Sequence, residues 1–197
     1  MKTLFLFSCF FLANLWGQDI HVGVKGGVPL THGVSPDSLD ESKRYTVGPS
    51  VEVGVWRGLS FEFDALYKRV GYTQRFSLIG VSQTTRQRGN SWEFPMLAKY
   101  SFGHREASIK PFVEVGGSLR KIWASRQFSL NSPDSLILLP RDFDDVTRLQ
   151  AGGVAGAGVL FRCGRFGISP EVRYTRWAVT NFPTNRNQAE ALVGIRF

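Results

Sequence analysis

The sequence predicts an all-β fold, an eight-stranded antiparallel transmembrane up-and-down β-barrel, and three observations carry that expectation. Apolar and polar residues alternate with a period of two in eight successive segments. One of the two faces so defined carries no charge in any segment, while the other carries fifteen. The connections alternate between long and short, as in a barrel with tight turns on one side of a membrane and extended loops on the other. Composition agrees. A chain with 43% apolar residues does not read as disordered, and 21 Gly with 13% aromatics lean towards β-structure. Cys9 and Cys163 cannot staple a mature chain that has lost its leader.

Residues 1–17 read as that leader, a cleaved signal peptide, leaving 18–197 as the barrel. Lys2 is its positive start, Thr3 to Trp16 its apolar run and Gly17 its small residue at the cleavage point. After it no run of eighteen apolar residues occurs, so no transmembrane helix is expected. The first strand alternates Ile20, Val22, Val24, Gly26 and Val28 with His21, Gly23, Lys25 and Gly27. The second sets Val47, Pro49, Val51, Val53 and Val55 against a face with Glu52, and the third Leu59, Phe61, Phe63, Ala65 and Tyr67 against one with Glu62, Asp64 and Lys68. The fourth, from Trp92 to Tyr100, turns Glu93 and Lys99 to its polar side. The fifth, from Ile109 to Arg120, does so with Lys110, Glu114 and Arg120. The sixth, 151–162, is the weakest, rich in Gly and Ala, and contributes Arg162. The seventh, 166–175, contributes Glu171 and Arg173, and the last, 189–197, Glu190 and Arg196.

Two faces this different sit in different solvents. Periodicity alone does not say which one is inside, because a soluble sandwich or lipocalin inverts the arrangement. Connection lengths decide for the membrane: 31–45, 71–91 and 122–148 are long, 57–58, 103–108 and 163–165 are short, and 176–188 is intermediate. Aromatics form two girdles. Phe61, Tyr100, Phe102, Phe161, Phe166 and Phe197 fall near the short-turn rim. Tyr45, Tyr67, Tyr72, Trp92, Trp123, Tyr174 and Trp177 fall near the long-loop rim. Arg69 and Arg176 break the apolar parity just beyond that second girdle. There an exposed charge costs about 0 to 1 kcal/mol, against about 2 to 4 at the midplane. Pro49, Pro95, Pro111 and Pro170 each remove a ladder donor, so bulges or strand ends are expected at them.

The segments Gly23-Val24-Lys25-Gly26-Gly27, Glu93-Phe94-Pro95-Met96-Leu97-Ala98-Lys99-Tyr100 and Lys110-Pro111-Phe112-Val113-Glu114-Val115-Gly116 carry a family resemblance. So do Ser169-Pro170-Glu171-Val172-Arg173-Tyr174 and the terminal Val193-Gly194-Ile195-Arg196-Phe197. Across its mature length the chain resembles the eight-stranded outer-membrane β-barrel domain proteins of the OmpX and OmpA-barrel type and their small porin-family relatives. The resemblance implies the bacterial outer membrane as location. It implies that Val193, Ile195 and Phe197 are read by the barrel-assembly machinery, although the same residues also read as an ordinary last strand.

Seven acids and eight bases point inward: Lys25, Glu52, Glu62, Asp64, Lys68, Glu93, Lys99, Lys110, Glu114, Arg120, Arg162, Glu171, Arg173, Glu190 and Arg196. An eight-stranded barrel has room inside only for its own side chains, and buried charge there must be paired. The near balance therefore reads as a structural ion-pair core, with Gly54, Gly116, Gly152, Gly156, Gly158 and Gly194 leaving room for long side chains. A narrow passive pore for small solutes is the alternative. A membrane-embedded enzyme is a third reading. Its one seed is His32 near Asp37, Asp40 and Glu41, since His21 and His104 fall at the short-turn end. No His/Cys spacing suits zinc and the glycine cluster around Lys25 lies in a strand, so no cofactor, metal or catalytic residue is expected.

Function then falls to the long connections. The segments 72–85 around Gly80 and 127–139 around Asn131-Ser132-Pro133-Asp134 read as hairpins that prolong the strands beyond the membrane, with Arg75, Arg86, Arg88, Arg126 and Arg141 favouring anionic surfaces. The expected partners are outer-membrane lipid and lipopolysaccharide, the assembly machinery through the C-terminal strand, and an extracellular partner through the hairpins. No nucleic acid is expected, and the barrel reads as a monomer.

Overall fold

The computed structural model describes residues 19–31, 39–40, 44–78, 81–104, 107–132, 135–138, 149–178 and 185–197. In 39–40, 70–78, 81–89, 124–132 and 135–138 it is the backbone alone that is described. Eleven β-segments form one antiparallel sheet: β1 (Ile20–Pro29), β2 (Leu39–Asp40), β3 (Thr46–Trp56), β4 (Leu59–Asp64), β5 (Leu66–Leu78), β6 (Val81–Ser101), β7 (Ile109–Ser132), β8 (Ser135–Leu138), β9 (Gln150–Cys163), β10 (Phe166–Trp177) and β11 (Asn187–Arg196). Eight staves make the wall, because β4 and β5 are one strand interrupted at Ala65. Each stave pairs with the next, and β1 pairs with β11 from Gly23 opposite Arg196 to Pro29 opposite Glu190, closing the barrel. Among the described residues no helix is long and apolar enough to cross a membrane.

The apolar face is the outer one. Val22, Val24, Val113, Val115, Val172, Val193 and Ile195 are exposed around the wall, a continuous apolar band of the kind water does not tolerate and lipid requires. Staves of ten or eleven residues such as β1, β3 and β11 have the length a tilted strand needs to cross the hydrocarbon. Near the short-turn rim Tyr100 meets Phe102 edge-on at 5.1 Å and Phe166 meets Phe197 at 5.5 Å. At the opposite rim Tyr67 lies between Tyr45 and Trp92 at 6.2 and 5.6 Å. Arg176 is exposed and Arg69 half-buried on the outward parity at that upper rim. Each short turn holds a glycine at positive φ, Gly58 (78°), Gly103 (101°) and Gly164 (64°), a conformation other residues rarely adopt.

The prolines are accommodated without bulges. Pro49 accepts a hydrogen bond from the Ala65 amide at 3.0 Å but has no N–H to return to Ala65. On the other side of the same stave, Pro95 lies where pairing to β6 lapses between Phe63–Met96 and Leu66–Glu93. Two prolines thus bracket the interruption of this stave. Pro170 sits where the β10–β9 ladder skips from Ile168–Phe161 to Glu171–Gly158 with its register intact. Pro111 lies at the end of the β6–β7 ladder, where its carbonyl accepts from Phe102. The register shift in β3–β4 falls instead between Gly54 and Trp56.

Two of the connections expected to be long are largely strand. β5 and β6 pair continuously from Leu66 opposite Glu93 to Leu78 opposite Val81. β6 and β7 stay paired up to Ser82 opposite Asn131, and β8 and β2 add to the outer edges at Ser129–Ser132 and Tyr72–Thr73. The pairing of β3 with β5 stops at Lys68, and that of β9 with β7 at Arg120. Above that level a sheet of five segments stands clear of the wall by roughly 30 Å of strand. The leader lies outside the described residues, as do His32, Asp37, Glu41 and Arg141.

Candidate functional site in the barrel interior

The alternation that exposes one face to lipid delivers the other to the barrel interior. Twelve of the fifteen inward charges are buried. Glu52 and Arg196 are half-buried, and Arg162, expected inside the network, is exposed at the lower mouth because β9 is ending there.

Arg173 on β10 is the hub. Its Nε donates to Glu114 Oε1 at 2.9 Å, its Nη1 to Asp64 Oδ2 at 2.9 Å, and its Nη2 to Glu171 Oε1 at 2.9 Å and Glu62 Oε1 at 3.1 Å. One guanidinium fork thereby joins β10 to β4 and β7 across the lumen. Lys25 on β1 adds a second cation, bonded to Glu62 and, at 2.8 Å, to Glu171 Oε1, with Asp64 Oδ2 at 3.8 Å. Lys99 on β6 reaches Glu62 Oε2 at 2.9 Å and Glu52 Oε2 at 3.2 Å, and Arg196 holds Glu52 Oε2 from the other side at 3.1 Å. Lys99 also lies 4.0 Å from the centre of the Phe112 ring. Oxygens of Glu62, Glu114 and Glu171 lie within 4.8 Å of one another. Lys25 and Arg173 already face these carboxylates, so the arrangement is an ion-pair core.

A second layer lies above the first. Lys68 Nζ bridges Glu190 Oε2 at 2.6 Å and Glu93 Oε2 at 2.5 Å, and the Thr46 hydroxyl donates to Glu190 Oε1 at 3.2 Å. Arg120 donates through Nε to Gln150 Oε1 at 3.0 Å and lies over Trp177, 4.0 Å from the ring centre. Trp177 is 1% exposed and donates its indole N–H to Gln188 Oε1 at 3.0 Å. The girdle assignment of Trp177 is corrected here: it has the right height and the opposite face, sharing the inward parity of Arg173 and Thr175. Leu66, Leu97, Phe112, Leu160 and Leu192 fill the space between charges. Three interior glycines make room, though mainly for other groups than Arg and Lys. A Cβ on Gly156 would meet Glu114, one on Gly158 the Phe112 ring, and one on Gly152 the Trp177 ring.

Charge is not spread evenly along the axis. The hub and top layers hold six acids and five bases of the expected set. Glu52, Lys110, Arg162 and Arg196 gather at the lower end, where His21 and His104 also lie. Thr46, Gln150 and Trp177 were not among the expected network residues, and the inward parity of their strands is the signal that finds them. Val193, Ile195 and Phe197 are exposed along β11, facing lipid beside the closing seam, where the Phe197 amide donates to the Val22 carbonyl at 2.9 Å.

A family model described as outer membrane protein beta-barrel domain matches residues 16–182. No curated protein matches the chain. Among solved structures, the Neisserial surface protein A is similar with 17% identity and a TM-score of 0.49, covering 91% of this chain and 97% of that one. The N-terminal β-barrel domain of Pseudomonas aeruginosa OprF is similar with 13% identity over 90% and 96% of the two chains, at a TM-score of 0.41. The attachment invasion locus protein Ail of Yersinia pestis is similar with 11% identity over 91% and 97%, at 0.43.

Proposed function

We propose, for a chain that belongs to the outer membrane protein beta-barrel domain family and resides in the bacterial outer membrane, that it is a non-conducting interaction barrel whose raised sheet carries its binding activity. The short turns face the periplasm and the long connections the exterior, as in other barrels of this membrane. One observation carries the reading: the β5–β6 and β6–β7 ladders run without a register break from the wall into the raised sheet, while the lumen beneath is filled by paired charge. The wall anchors, and what it anchors is a pre-ordered sheet. Above Arg120 the outer edge of β7 is paired among the described residues only at Ser129–Ser132, and above Arg69, whose amide donates to the Tyr45 carbonyl at 3.4 Å, that of β5 only at Tyr72–Thr73. Such edges accept an added strand. Arg75, Arg86, Arg88 and Arg126 in these segments bias the sheet towards anionic surfaces, lipopolysaccharide included. A catalytic role finds no support in the interior, where each acid–base cluster is locked in ion pairs. Residues 1–17 act as the signal peptide in this reading, and Val193, Ile195 and Phe197 as the assembly signal.

The test replaces residues 72–85 and 127–139 by short Gly-Ser turns. The variant is expected to assemble as a barrel, running faster unboiled than boiled on a denaturing gel. It is also expected to lose most binding to lipopolysaccharide-bearing surfaces. Unchanged binding by an assembled variant would overturn the proposal.

A further inference from the structure

The lower mouth of the barrel is a bowl whose described lining carries more bases than acids. A cavity of about 680 Å³ opens between the short turns, within the roughly 300–1,000 Å³ typical of small-molecule sites. Among the described residues Arg57, Lys110, Arg162 and Arg196 line it, with Asp19 and Glu52 as the acids. Glu52 is already engaged, accepting from Lys99, Arg196 and Ser60 at 3.2, 3.1 and 2.9 Å. Through Lys99, which also bonds Glu62, the Glu52 carboxylate ties the bowl to the ion-pair core. The near neutrality of the whole interior conceals this segregation. The upper layers carry one acid more than they have bases, and the basic excess lies at the mouth.

A concave site with low-dielectric walls concentrates the field of its charges, and guanidinium forks match phosphate and carboxylate oxygens two at a time. We infer that the bowl binds a small anion bearing two or more negative charges on phosphate or carboxylate groups, entering from the periplasm. Trp56, Tyr100 and Leu160 add apolar wall beside the cations, which gives room for an organic body on that anion.

The mature protein in detergent micelles would be titrated calorimetrically with pyrophosphate, with citrate, and with sucrose as an uncharged solute. Saturable one-to-one binding of pyrophosphate, citrate or both is expected, with none for sucrose. Pyrophosphate alone identifies a phosphate site and citrate alone a carboxylate site. Affinity should fall at least tenfold in the Lys110→Gln/Arg162→Gln double variant and be unchanged when the outer hairpins are replaced. If removing the buried Lys110 blocks assembly, Arg57→Gln/Arg162→Gln, at a turn and an exposed position, gives the same reading. Absence of saturable binding by both anions, or binding that survives these substitutions, would overturn the inference.

Discussion

Arg173 engages four carboxylates and is 2% exposed. Removing one partner of a buried ion pair strands the other in low dielectric, at a cost of about 3–5 kcal/mol. Arg173→Met is therefore expected to lower the stability of the assembled barrel by about that amount. Arg176→Met, three residues on and exposed at the upper rim, should shift it by less than about 1 kcal/mol. Urea unfolding in micelles compares the two, and equal effects would show that the hub is not what holds the lumen together. Gly158 gives a steric counterpart. A Cβ there would meet the Phe112 ring at 2.5 Å and the Pro170 carbonyl at 2.6 Å, whereas at Gly153 nothing lies within 4 Å. Gly158→Val should cost about 1–3 kcal/mol by overpacking and Gly153→Val, facing lipid, close to nothing, by the same measurement. Which residues point inward was legible from parity alone. Who pairs with whom was not, because Arg173 meets Asp64 and Glu114 through the barrel's stagger and curvature, and one strand's alternation contains neither.

At the scale of the element, the period of two was enough to place all eight staves, since each must present one face to lipid and the other to the lumen. It misled at ends and interruptions. Trp177 was drawn to the girdle because a tryptophan at that height suits the interface, yet parity inherited from Arg173 sends it inward onto Arg120. The break at Ala65 was invisible along its own strand: it is imposed by Pro49 and Pro95, which become its neighbours only once the sheet is assembled. The continuation of β5, β6 and β7 beyond the wall follows from β-forming residues on both sides of Gly80 and of the Asn131–Asp134 turn, and was legible as hairpins. Because those segments share ladders with the wall but not its lumen, shortening them should leave barrel stability within about 1 kcal/mol of the parent. A large loss on urea unfolding would mean that the raised sheet is part of the folding unit.

For the whole molecule, seven acids and eight bases on the inward parity could be counted before any coordinate, but their sorting along the axis could not, since height depends on where each stave enters the wall. The closed β1–β11 seam and the cross-barrel bonds together imply one cooperative unit, resistant to detergent until heated. The account rests on a lumen that is sealed as well as balanced, with Trp177 and Arg120 over the top layer and Arg173 across the middle. Single-channel recording of the purified full-length protein in a planar bilayer tests this most directly. The prediction is a silent bilayer at protein doses where gel mobility shows assembled barrel. Steady unit conductance that changes when Arg173 or Trp177 is substituted would contradict it, because current would then be passing through the very residues held to close the lumen.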